Sequence, residues 1–541
     1  MKNKSKYFNW RFVTVGLTIS ICLLVIIYRI FSIQIIDSTF LQNEGAKRHI
    51  KYKDIIPVRG SIFDRNNVPL AVSVVNYDLY ALKGFKKSQL LKLSELIELD
   101  IDYVKDTFEK KTLLKKNVSK TNLLEIKKIK LKNTEIEARY SRHYPLGDQI
   151  APLIGFFGTD GAQEGLEKSY DKVLSGVNGR NKYFKNTKQE IISKPIVVSE
   201  AIPGQDLHLT IDATLQYFAY KHLAEAIEKN RAKSGTVLIL DNKNGEILAM
   251  ASYPSYNPNH PKRKIQKNRA LVDAYELGSV LKPIMLSKAY DAEVVTPNQV
   301  IDIPRRLNLN DKIIVDSRNH EKLTPTEIIA VSSQIGASLI SLEVGYDDLK
   351  NNYYNFGFTK PVSVNFPSSA FGNMNIKDSV TDKELASLGY GYGITISPFQ
   401  IASAYSVFAN NGLFKDFTLI KDDISTSRQI ISPESASYVL NALQEVVQDG
   451  TAPAANIKGF SVAGKTGTAH QIRGRSGYAE DLYIASFVGI TPLSDESLTI
   501  FVSINNPGLN SYTGGAVAAP VFAKIAESSL NHLGYFEDEW A

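Results

Sequence analysis

The longest uninterrupted apolar stretch lies near the start of the chain. Residues 12–28 carry no charge, and residues 30–36 extend the run past Arg29, whose long stem can reach back toward water. About 25 such residues, at ~1.5 Å rise per residue, suffice for a helix that crosses a bilayer. From residue 37 to 205 the pattern is mixed and irregular. Within it, residues 86–133 space leucines and isoleucines three and four apart among lysines, which predicts a pair of solvated amphipathic helices. After Ile202-Pro203-Gly204 the texture becomes regular. Residues 207–211 read as a strand and 213–229 as a helix. Residues 236–240 and 246–250 flank a hairpin turn that ends in Asn244-Gly245. Leu281, Ile284, Met285, Leu286 and Ala289 recur with mostly helical spacing after Gly278. Thr324-Pro325-Thr326-Glu327 opens another helix with capping-box spacing and a proline just inside it. That helix breaks at residues 332–336 and an apolar helix resumes over 337–344. Residues 460–464, 483–490 and 498–504 are strand-like, and 521–533 close the chain with a helix. Strands from the two ends of 206–541 are expected to form one antiparallel sheet, with the intervening helices packed on it, an α+β fold.

Composition adds bounds. With 541 residues, 43% hydrophobic and 22% charged, the chain is globular and long enough for two or three domains. The net charge of +7 is unevenly placed. Residues 1–36 hold Lys2, Lys4, Lys6, Arg11 and Arg29 and no acid; taking those five from the 63 basic residues leaves 58 against 56 acidic ones. No polyanion-binding surface is implied, so nucleic acid is not expected as a partner. The apolar run is too long for a cleaved signal peptide and lacks a small-x-small site before Asp37, which favours a retained anchor. The basic tail puts the N-terminus in the cytoplasm and everything after Asp37 outside. The single cysteine, Cys22, lies inside the span, so the exported part is held by its core without disulfides. The expected organisation is a tail (1–11), a transmembrane signal anchor (12–36), a mixed domain (37–205) and a larger domain (206–541). No repeats, metal-ligand clusters or phosphate loops stand out, and the histidines are scattered. The charges of residues 59–65 are expected to form a salt-bridged structural knot.

Three short segments carry chemistry: Ser279-Val280-Leu281-Lys282, Ser332-Ser333-Gln334 and Lys465-Thr466-Gly467-Thr468. A serine hydroxyl needs a nearby base to attack. A lysine three residues on lies on the same helical face, and partial desolvation lowers its pKa enough to take the proton. At a helix start, Ser279 sits where the positive dipole end favours an oxyanion. Each motif alone is weak: Ser169-Tyr170-Asp171-Lys172, Lys233-Ser234-Gly235-Thr236 and Ser317-Arg318-Asn319 match similar patterns. Order and context favour the set that begins at Ser279. In the middle motif a proton-relaying serine fits Ser332, between two apolar helical runs, with Ser317 in a polar loop as the alternative. On the third, strand-like segment, Thr466 can hydrogen-bond a substrate carboxylate. Gly467 lets a peptide backbone come close. Lys465 supplies a positive field, and the backbone donor of Thr468 joins that of Ser279 in an oxyanion hole.

Over nearly its whole length the chain resembles the class B penicillin-binding proteins, monofunctional peptidoglycan D,D-transpeptidases, and within them the division-specific type usually called penicillin-binding protein 3. The three motifs carry the resemblance, with Asn9-Trp10-Arg11-Phe12, residues 59–66, Pro69-Leu70-Ala71-Val72-Ser73, residues 161–165 and 167–171, residues 253–259 and Gly389-Tyr390-Gly391-Tyr392-Gly393. It implies a transpeptidase domain of the kind shared with serine β-lactamases, on an elongated α+β pedestal. It implies Ser279 as the acylated nucleophile, Lys282 as its base, Ser332 as proton relay, and Gln334 with Lys465, Thr466, Gly467 and Thr468 as the substrate-binding set. The implied donor is a stem peptide ending in D-Ala-D-Ala. β-Lactams are implied as ligands, a membrane-embedded glycan polymerase and other division proteins as partners, and no metal or cofactor. Two departures stand out. The family usually has asparagine where this chain has Gln334, and Pro-Gly-Ser-Thr-x-Lys where this chain has Leu277-Gly278-Ser279-Val280-Leu281-Lys282. A β-lactam hydrolase or sensor, and a catalytically weak division scaffold, are the competing functions.

Overall fold

The computed structural model describes residues 10–85, 108, 110–129, 131–158, 160–187, 191–261, 266–309, 312–374, 377, 379–472, 477–508 and 511–537. They divide into two compact units, Met1–Arg59 with Ser175–Gly204, and Gly60–Leu174 with Gln205–Ala541.

In the first unit the apolar run is a helix, Trp10–Phe31, followed by a π-helical turn, Ser32–Ile36. No side chain of Trp10–Phe31 is buried. The apolar helical stretch Trp10–Ile36 has 27 residues and a mean hydropathy of 2.3. At ~1.5 Å per residue that is about 40 Å, enough to cross a hydrocarbon core about 30 Å thick. Ser32 Oγ donates to Asp37 at 2.8 Å, and Arg29 lies 3.9 Å from the same carboxylate, so the one charge inside the run is answered at its edge. Helix Ser38–His49 then leads into strand Ile50–Ile55, which pairs antiparallel with Gly179–Phe184, itself paired with Ile196–Ser199.

In the second unit, strand Pro69–Ala81 pairs antiparallel with Ile62–Phe63, Thr112–Val118 and Thr134–His143. Of the amphipathic helix pair expected over 86–133, one helix is present among the described residues, and one stretch is a strand instead. Residues 86–107 lie outside the described residues. The described remainder is strand Thr112–Val118 followed by one helix, Lys120–Lys128, capped by the Ser119 side chain. Pairing with a long neighbouring strand overrides the local helical spacing. Around residues 59–65, Asp64 accepts backbone donors from Asn66 and Val68 at 2.7 Å and from Ala213 at 3.0 Å, and Arg65 pairs with Glu246 at 3.1 Å.

The larger sheet of this unit is antiparallel throughout, in the order Glu246–Tyr253, Ser234–Asp241, Leu498–Asn505, Tyr478–Thr491, Ala463–Ile472. Ser234–Asp241 against Leu498–Asn505 joins the two ends of the domain, as expected from the sequence. The third motif sits on the edge strand. Two inserted helices are buried almost all round, Lys282–Asp291 and Pro398–Ala409.

Candidate active site

Ser279 lies in a single 3-10 turn, Gly278–Leu281, that runs straight into helix Lys282–Asp291. Residues three apart eclipse one another in such a turn, so Ser279 and Lys282 share a face. Pro283 is harmless because the first turn has no intrahelical acceptor for its missing donor. The turn is held from behind. Tyr405 Oη donates to the Val280 carbonyl at 2.7 Å, and the Gly278 N–H donates to the Gly391 carbonyl at 3.2 Å. Gly391 has φ +92°, and a Cβ there would lie 2.0 Å from the Gly278 carbonyl oxygen. Only glycine allows that approach.

The middle motif closes over Lys282. Between helices Pro325–Ala330 and Gln334–Val344 the chain turns at Ser332, whose φ of +61° is left-handed. A non-glycine residue in that region stores about 1–3 kcal/mol and persists only where its surroundings enforce it. Lys282 Nζ donates to the Ser332 carbonyl at 2.6 Å and to Ser332 Oγ at 3.2 Å. Asp316 enforces the turn: it accepts from Ser333 Oγ and the Gln334 N–H, both at 2.5 Å, and from the Ile335 N–H at 3.1 Å. Ser333 Oγ in turn caps the helix by accepting from the Gly336 N–H at 2.9 Å. Ser317 lines the same cleft, but the hydroxyl that Lys282 meets is that of Ser332.

The edge strand Ala463–Ile472 forms the opposite wall. Thr466 and Thr468 line the cleft. Thr466 Oγ1 lies 2.9 Å from Thr451 Oγ1, and Thr468 Oγ1 accepts from the Gly514 N–H at 3.0 Å. Gly467 is also needed for packing. A Cβ there would meet the Leu277 carbonyl at 2.7 Å, Val280 Cγ1 at 3.0 Å and Ser486 Oγ at 2.4 Å. Its bareness lets the serine turn pack on the strand. Ser279, Ser332, Gln334, Thr466 and Thr468 thus line one cleft of about 580 Å³.

Burial sets the electrostatics. Lys282 is fully buried, which pulls its pKa down to about 7 against the opposing pull of the Asp316 charge. Lys465 is fully buried too, and its Nζ has no hydrogen-bond partner among the described residues. Burial, and then the neighbouring Lys282 charge, push its pKa well below the usual lysine range. Burial thus works against its ammonium form, and an anion beside it would work the other way. Among the described residues no group of His, Cys, Asp and Glu could hold a metal ion.

The penicillin-binding protein transpeptidase domain matches residues 235–527, and the penicillin-binding protein dimerisation domain matches 54–209. The peptidoglycan D,D-transpeptidase FtsI of Buchnera aphidicola from Schizaphis graminum is 33% identical over 97% of this chain and 96% of its own. The FtsI of Escherichia coli K12 is 31% identical over 99% and 94%. The chain belongs to the penicillin-binding protein transpeptidase family. Among solved structures, penicillin-binding protein 3 of Mycobacterium tuberculosis in complex with aztreonam aligns with a TM-score of 0.70 at 25% identity, covering 90% of this chain and 98% of that one. Penicillin-binding protein 2X of Streptococcus thermophilus shares the fold, with a TM-score of 0.78 at 20% identity over 89% and 80%.

In this penicillin-binding protein the residues that sequence reasoning missed are Asp316 and Thr451. Asp316 stood in a segment read only as a polar loop. Its partners lie 17 to 19 residues downstream, a separation without a sequence signature. Thr451 follows the end of helix Pro433–Gln448 and reads as ordinary turn composition.

Proposed function

We propose that this chain is a peptidoglycan D,D-transpeptidase that works through a serine acyl-enzyme. The observation that carries the reading is a buried lysine, with a pKa near 7, hydrogen-bonded to Ser332 beside Ser279 in one cleft. Ser279 Oγ attacks the carbonyl carbon of the penultimate D-alanine while Lys282 Nζ takes its proton. The oxyanion is met by the backbone N–H groups of Ser279 and Thr468. The C–N bond breaks, and the terminal D-alanine leaves as an amine with a proton passed through Ser332 Oγ. An amine of a neighbouring stem then attacks the ester, forms the crosslink and returns Ser279 to its hydroxyl. Thr466, beside Thr451, binds the terminal carboxylate, whose charge draws a proton onto Lys465. Gln334 offers its amide across the cleft. β-Lactams acylate the same serine.

The setting follows from the same reading. Residues 1–11 form a cytoplasmic tail, 12–36 a single-pass anchor in the cytoplasmic membrane, 37–205 a pedestal and 206–541 the catalytic domain on the outer side. Septal wall synthesis during division, beside a membrane-embedded glycan polymerase, is the proposed role, supported by relatives that carry the FtsI name.

Intact-mass spectrometry after penicillin treatment tests the reading. The parent gains one adduct and Ser279→Ala gains none; an adduct on Ser279→Ala overturns the assignment. Ser332→Ala slows acylation sharply while Ser317→Ala leaves it almost unchanged. A large loss at Ser317 with little at Ser332 reverses the relay assignment.

A further inference from the structure

Away from the serine cleft, the second unit holds a cavity of about 240 Å³ that shares no lining residue with it. The cavity lies between the start of helix Pro398–Ala409, the end of helix Tyr346–Asn355 and the antiparallel pair Leu413–Lys415 and Ser427–Gln429. Phe356, Phe399, Phe414 and Phe417 line it, and all four rings are buried. A space of ~150 Å³ among apolar side chains stays dry and accepts a benzene ring, so this one has room for a ring and a short arm.

The charges of the lining stand nearer the mouth. Lys360 is exposed, and the Arg428 side chain is 40% exposed. Lys360, Lys415 and Arg428 against Asp416 leave a net of two positive charges. Two of these four groups are already engaged. Lys415 Nζ donates to the Asn242 and Lys243 carbonyls, both at 2.7 Å, and Asp416 accepts from Thr426 Oγ1 at 2.5 Å. Arg428 is different. Its guanidinium stands 4.2 Å over the Phe414 ring and donates to the Asn355 carbonyl at 3.2 Å. The carboxylate oxygen it approaches, on Asp416, is 3.8 Å away, beyond hydrogen-bond distance. A guanidinium carries five donors, so most of this fork is open. Lys360 has no ion pair among the described residues.

The walls are held in place from within. Gln400 is 5% exposed. Its Nε2 donates to the carbonyls of Gly357, Phe358 and Lys360 at 2.8, 3.0 and 3.1 Å. Its Oε1 accepts from the Gly372 and Ser397 N–H groups at 2.9 and 3.1 Å. The segment that carries Lys360 is thereby tied to helix Pro398–Ala409. A cavity kept open in this way takes a ligand without first ordering its own walls.

We propose that this cavity binds a small molecule whose aromatic ring or short alkyl arm ends in a carboxylate. The arm fills the space among the phenylalanines, and Arg428 and Lys360 meet the carboxylate at the mouth. The site backs onto the helix whose Tyr405 holds the serine turn, but it lies outside the catalytic machinery.

The test titrates the full chain in detergent with phenylacetate, phenylacetamide and acetate, read by calorimetry. Phenylacetate binds saturably. The amide keeps the ring and loses the charge, and binds on the order of five- to tenfold more weakly at low salt, a gap that narrows as salt rises. Acetate keeps the charge and loses the ring, and it also binds more weakly than phenylacetate. Lys360→Met and Arg428→Met each bring the acid-to-amide ratio closer to one, and both keep the parental rate of penicillin acylation. A carboxylate can also enter the serine cleft, so the titration is repeated on chain already acylated by penicillin, where phenylacetate still binds. No saturable binding, equal affinity for acid and amide, loss of binding on acylation, or an unchanged ratio in both variants overturns the site. Should Arg428→Met fail to fold, Lys360→Met and the salt dependence decide. If penicillin leaves no adduct, it is the transpeptidase reading that falls, and the two variants still decide this site.

Discussion

Lys282 must be neutral to accept the Ser279 proton, and desolvation brings that form within reach of neutral pH. The sign follows from the lowered pKa. Below about 7 the ammonium form dominates and the rate of penicillin acylation falls about tenfold per pH unit; above about 8 it levels off. A stopped-flow pH profile without a midpoint near 7 would remove Lys282 from the base role. Lys282→Arg should cost about 10²–10⁴-fold, because a guanidinium does not deprotonate in this range. Asp316 adds a second readout. Its charge raises the Lys282 pKa, so Asp316→Asn should shift the profile toward lower pH as well as slow acylation. Slowing without that shift would make Asp316 purely a prop for the Ser332 turn. At this scale the sequence was readable where chemistry depends on short spacing, as in Ser279 to Lys282. It was silent on Asp316, whose carboxylate works on backbone donors far along the chain.

Between elements, the decisive fit is that of the serine turn against its neighbours. A Cβ at Gly391 meets the Gly278 carbonyl at 2.0 Å, in a backbone conformation that already disfavours side chains. Gly391→Ala should therefore displace the turn that carries Ser279. We expect a loss of roughly 1–3 kcal/mol in stability and a fall in acylation larger than a stability loss alone would give. Thermal melting and acylation kinetics on the same preparation separate the two; a variant with parental melting and parental acylation would mean that the contact does not position the serine. Helix Ala213–Lys229 matches its expected bounds, because its apolar stripe and the Asp212 cap coincide. Strand Tyr478–Thr491 begins earlier than its apolar core at 483–490, since sheet pairing with Ala463–Ile472 carries it onward. The same effect turned Thr112–Val118 from an expected helix into a strand. What the sequence withheld at this scale is pairing across long separations, which costs loop closure and rewards it only in the finished sheet.

At the scale of the molecule, hydropathy set apart Trp10–Ile36, among the described residues the one helical stretch long and apolar enough to cross a bilayer. The clefts, by contrast, arise where segments from 279, 316, 332, 451 and 466 converge, and no window of sequence contains them. The helix Trp10–Phe31 buries none of its side chains, and all of the proposed catalytic residues belong to the other compact unit. Deleting residues 1–36 removes five of the positive charges and leaves a balance of 58 basic to 56 acidic residues. The shortened chain should be soluble and gain a penicillin adduct at a rate close to that of the full chain in detergent, since neither Ser279 nor Lys282 loses a neighbour. Gel filtration and intact mass on the truncated protein check this together. A monodisperse, folded product that takes no adduct would mean that the anchor belongs to the active unit, and that the membrane does more for this enzyme than hold it in place.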